Sequence, residues 1–186
     1  MNLKSQNRWL IFILLGLAFG ILDWYFLDVL ASIGRNESFN NQMQQSAELV
    51  RLFGAVVILA LNYGIWLVPV IPAAVFEYIR TRVLWRAVVS ASVVWSAAIF
   101  SYYTYYTLLL MFTGLPGMEF MLFAQRDLPS YWNDWWVSFQ QVILNQFIEW
   151  IGVAILGGAI VGALSAAGVH LFWQRRKKVR LSVSQP

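Results

Sequence analysis

The sequence predicts an all-α polytopic membrane protein: a four-transmembrane-helix bundle forming a single membrane domain over 1–186, with an amphipathic interfacial helix in the outer 3–4 loop. Three observations carry that reading. Hydrophobic residues make up 60% of the chain and charged residues 12%, with a mean hydropathy of +0.62, whereas soluble domains carry about a quarter charged residues. The apolar residues form long uninterrupted blocks, the pattern of segments solvated by lipid. The basic residues gather at the ends of those blocks, as they do in topology signals.

The first block, 9–33, follows Lys4 and Arg8. It exceeds the roughly 7 to 15 apolar residues of a signal-peptide core and no small-x-small cleavage site follows, so a retained first span is expected. A polar stretch from Gly34 to Glu48, rich in Asn and Gln, reads as an aqueous connection. The second block, 52–79, contains Pro69 and Pro72, and because proline removes a backbone donor and clashes with the preceding turn, a bend is expected in its cytoplasmic half. Arg80, Thr81 and Arg82 link it to the third block, 83–112, and so short a link makes the two helices antiparallel neighbours. The segment 118–145 is too polar for a smooth span and too aromatic for a plain loop. Ser130 caps a helical pattern there whose apolar positions include Trp132, Trp135 and Trp136, a face suited to the headgroup layer. The fourth block, 147–173, stops at Arg175, Arg176, Lys177, Lys178 and Arg180, within a basic tail over 174–186.

Orientation follows from charge. In a four-span arrangement Lys4, Arg8, Arg80, Arg82, Arg86 and the C-terminal cluster share one side, leaving Arg35, Arg51 and Arg126 on the other, so both termini are expected in the cytoplasm. A bacterial cytoplasmic membrane is the expected location, given the short connections. The formal charge of +4 does not mark a nucleic-acid partner, because the basic residues do not line a soluble face. The bilayer is one partner, and other membrane subunits or further copies of this chain are the other partners expected.

Several chemistries are excluded or disfavoured. There is no cysteine, hence no disulfide, thiolate metal site or thiol nucleophile. One histidine, His170, cannot make a bis-histidine metal or haem site. Gly157 and Gly158 lie in an apolar span with no following lysine and hydroxyl residue, so they form no phosphate loop. No catalytic, metal or cofactor site is expected.

What remains are polar groups inside apolar blocks. Asp23, Asn62 and Glu149 form a candidate intramembrane polar site. Asp23 lies about 22 Å along the helix from Arg8, past the midplane, and Glu149 falls near the outer start of the fourth span, so the two can share a depth. One reading is an outward-facing carboxylate pair that carries a proton or cation; the other is hydrated interfacial acids. Asn62 is expected to hydrogen-bond across helices. Glu77 reads as a surface ion pair with Arg80 and Arg82. Helix-packing faces are clearer: Gly16 and Gly20 in the first span, and Ala154, Gly158, Gly162 and Ala166 in the fourth, allow close backbone approach to another helix of this chain or of another subunit.

Together these features suggest first a non-enzymatic accessory subunit or assembly factor of a membrane complex, acting through helix and interface contacts. The alternative is a small proton- or cation-coupled transporter working as an oligomer. A lipid-directed enzyme using Glu119, Asp127, Asp134 or Glu149 has no motif behind it.

Overall fold

The computed structural model describes residues 3–34, 48–114 and 123–183. The polar 34–48 connection and the start of the 118–145 segment fall almost wholly outside them, together with Arg35, Glu37 and Glu119. The order is α1 (Leu3–Gly34), α2 (Glu48–Gly64), α3 (Leu67–Thr81), α4 (Leu84–Phe112), a 3₁₀ turn (Phe123–Gln125), α5 (Tyr131–Ser138), a π segment (Phe139–Leu144) and α6 (Asn145–Val183), with no strand among the described residues. Helices are what apolar blocks must form in lipid, where no water is at hand to bond a free N–H or C=O. Three helical stretches are long and apolar enough to cross a membrane: Asn7–Ser32, Leu84–Phe112 and one within Tyr131–Arg176. The bent pair α2 and α3 passes the same test together, which gives a fourth if the pair is one span.

The pair is bent by 51° at Ile65 and Trp66. Pro69 explains the position, because a proline ring collides with the carbonyl four residues earlier, that of Ile65. Pro72 lies inside α3, which continues through it to Thr81. The break therefore falls near the middle of the second block, and one of its two prolines accounts for it.

α4 is the central helix, packed against α1, α3 and α6. Its neighbours reach it through small residues. A β-carbon on Gly16 or Gly20 would meet the backbone carbonyls of Val94 and Ala98, and one on Gly158 or Gly162 would come within 2.6 Å of Ser92 Cα or 2.7 Å of the Ala87 carbonyl. Ala154 and Ala166 are fully buried on the same α6 face, and Ser92 Oγ donates to the Ile155 carbonyl at 3.0 Å across the seam. The glycine faces are thus occupied within the chain. α2 differs: it buries no residue and makes its main helix contact with α3.

The Trp-rich segment is joined to the last helix. From Tyr131 to Arg176 the chain is one helical stretch of 46 residues, about 69 Å at 1.5 Å per residue, against a bilayer of about 40 to 45 Å with its headgroups. It is therefore longer than a single upright span requires. Tyr131, Trp135, Phe139, Ile143 and Phe147 form its inward side in steps of four through the π segment, whose wider turn keeps such steps aligned. Trp132 and Trp136 are half exposed, while Trp135 lies parallel to Phe139.

Candidate functional site

Two carboxylates of the bundle interior have opposite surroundings. Glu77, near the end of α3, is 2% exposed. Arg8 of α1 donates from Nη1 to both of its oxygens, at 3.1 and 3.2 Å, and Arg86 of α4 lies 3.9 Å away. This corrects the expected surface pair with Arg80 and Arg82. Arg80 points outward, and Arg82 is stacked over Trp173. The reason is tertiary: α3 turns Glu77 into the seam where α1, α3 and α4 meet, and among the described residues Arg8 and Arg86 reach it there.

Asp23 is the other. It continues the Gly16 and Gly20 stripe of α1, so the close approach of α1 to α4 that the glycines permit also encloses the carboxylate. It is 1% exposed, and neither oxygen has a hydrogen-bond partner among the described residues. Such a group costs about 1 to 3 kcal/mol even before charge is counted, and more when ionised.

One helical turn further along α1 the seam opens into a cleft of about 380 Å³, lined by Trp24, Leu27, Asp28, Asn62, Tyr102, Tyr106 and Gln146 among others. An adjoining recess of about 150 Å³ shares Leu27, Asn62, Tyr102 and Gln146 with it and reaches Trp66 and Trp150. Tyr102 links the levels: it lines both cavities and lies within electrostatic reach of Asp23. The walls are aromatic. Trp24 packs on Tyr102 and Tyr106 with ring centroids 5.5 and 4.6 Å apart, and Trp66 lies 5.8 Å from Tyr102.

Of the sequence candidates, the structure places Asp23 beneath this cleft and Asn62 in its wall. It does not bring Glu149 to Asp23. Glu149 is exposed on α6, on the side of Tyr103, while Gln146 and Trp150 on the same helix face the cavities. Gln146, Tyr102 and Tyr106 are not site candidates by sequence, the two tyrosines reading there only as part of an outer aromatic belt; a polar residue at the mouth of a span and a Tyr-rich helix end are too common in interfacial belts to stand out. No cluster of three His, Asp or Glu residues that could hold a metal ion occurs among the described residues.

Fold and site together define an all-helical protein, among its described residues, with helices long and apolar enough to cross a membrane and a buried acid under an aromatic cleft. No family model, curated protein or solved structure matches the chain.

Proposed function

We propose that this chain is a small proton- or cation-coupled transporter of a bacterial cytoplasmic membrane, working as an oligomer, with four spans counting the bent pair and both termini cytoplasmic. The observation that carries it is Asp23: a carboxylate in a helix long and apolar enough to cross a membrane, enclosed by its own bundle, without a hydrogen-bond partner among the described residues, one turn below a cleft with polar and aromatic walls. A group so placed has a use for a proton or a cation that an apolar residue would not have. Asp28, Asn62 and Gln146 give an arriving cation oxygen ligands, and Trp24, Tyr102 and Tyr106 offer ring faces that attract positive charge. Glu149 has no part in the step.

The test is a set of proteoliposomes loaded with a pH-sensitive dye and pulsed in turn with sodium, potassium and tetramethylammonium. Wild-type protein is expected to move protons in response to at least one cation, Asp23→Asn to abolish the response, and Glu149→Gln to retain it. A response equal to that of protein-free liposomes for every cation, or an undiminished one in Asp23→Asn, overturns the reading.

A second reading, an accessory subunit or assembly factor, is favoured by α2, an apolar helix that buries no residue in its own bundle. The small-residue faces no longer speak for it, because α4 fills them. Purification from native membranes in mild detergent tests it: a stoichiometric partner crosslinking to α2 supports this role, and a chain that migrates without other proteins counts against it.

A further inference from the structure

A larger cavity, of about 450 Å³, lies at the other end of the bundle where α3 turns into α4, lined by Tyr78, Arg82, His170, Trp173 and Gln174. No carboxylate lines it among the described residues. The neighbouring Glu77 is turned away into the seam with Arg8 and Arg86.

Arg82 has φ 58° and ψ 21°, the left-handed region, where its N–H bonds the Tyr78 carbonyl at 2.8 Å and closes α3. Glycine takes such a position without strain, whereas a β-carbon is disfavoured there. The arginine that occupies it lays its guanidinium over the Trp173 ring. Stacking uses the face of the guanidinium and leaves its in-plane N–H donors for other acceptors; no ion pair or hydrogen bond engages them among the described residues.

His170 extends the donor set. Its Nδ1 is 3.0 Å from the Tyr78 hydroxyl and its Nε2 is 2.8 Å from Gln174 Nε2. With the Gln174 amide donating to Nε2, the ring proton is on Nδ1 and goes to the Tyr78 oxygen. Tyr78 then keeps its own O–H for a further acceptor. The cavity presents a fixed positive charge, a hydroxyl donor and a remaining amide N–H.

We propose that this cavity binds a phosphate-type anion, with the phosphodiester headgroup of an anionic phospholipid as its source. The planar donor edge of Arg82 suits phosphate oxygens. The lipid source follows from the surroundings: Ile79, Leu171 and Phe172, adjoining the lining residues in sequence, are exposed apolar side chains along which acyl chains can lie.

The test is native mass spectrometry of the full chain in maltoside detergent, titrated with phosphatidylglycerol or phosphatidylcholine. Wild-type protein is expected to retain phosphatidylglycerol in preference. Arg82→Gly, which suits the backbone, is expected to lower that retention about tenfold, the loss of one charge-assisted hydrogen-bonding group, and Arg82→Lys and Tyr78→Phe to fall between. The double variant Arg175→Gln with Arg176→Gln removes charge at the same end outside the cavity and is expected to stay within about twofold of wild type. Unchanged retention in Arg82→Gly, or an equal loss in the double variant, overturns the proposal. Excess inorganic phosphate distinguishes the sources. Displacement of phosphatidylglycerol together with an Arg82-dependent rise in the unfolding temperature supports the anion site with a soluble ligand; no effect supports the lipid headgroup.

Discussion

At the scale of single residues, burial separates acids that look alike in sequence. Glu77 and Asp23 are both enclosed, but Glu77 has two guanidinium partners and Asp23 has none among the described residues. Replacing Glu77 with Ala removes the buried carboxylate that Arg8 and Arg86 share and is expected to destabilise the protein by about 3 kcal/mol, whereas Arg80→Gln, on the exposed side of α3, is expected to stay within about 0.5 kcal/mol. Thermal unfolding in detergent reads both; a large effect at Arg80 would restore the surface pairing. Asp23→Asn keeps the shape and removes the desolvated charge, so it is expected to raise stability by about 1 kcal/mol while abolishing cation-driven proton movement. A fall in stability on that change would show that protein groups bind the carboxylate.

At the scale of elements, α4 is the template on which α1 and α6 are laid, and glycines set how close they come. Gly20→Ala and Gly162→Ala place a methyl group against α4 backbone that cannot retreat, and each is expected to cost about 1 to 3 kcal/mol. Gly152 and Gly168 lie on the same helix as Gly162 with open space around them; their alanine variants are expected to be neutral or stabilising by up to about 1 kcal/mol. Equal effects at all four positions would mean that helix propensity, not packing, governs these glycines. The bend between α2 and α3 has a similar local cause, since Pro69 obstructs the Ile65 carbonyl. Its consequence is larger: α3 stays in the bundle while α2 leaves it, and Asn62 comes to face the cleft rather than a helix seam.

At the scale of the whole molecule, the proposed four-span topology makes a direct prediction. The chain has no cysteine, so single-cysteine variants can be labelled cleanly. Ser182→Cys is expected to be protected from a membrane-impermeant maleimide in intact cells and Ser130→Cys to react; labelling at both would break the topology. The sequence by itself determined the helical class, the extents of apolar blocks long enough to span a membrane and the small-residue faces, because block length and residue size are local quantities. It also pointed to Asp23 and Asn62, since any polar group in an apolar block stands out. Only the tertiary structure decided which acid is enclosed and which is exposed, that Glu77 answers to Arg8 and Arg86 rather than to its neighbours in sequence, and that Arg82, His170 and Tyr78 converge on one cavity. Those outcomes depend on the rotation of each helix about its own axis and on the site of the Pro69 bend. Nothing in an apolar run fixes that rotation until the glycine seams lock against α4.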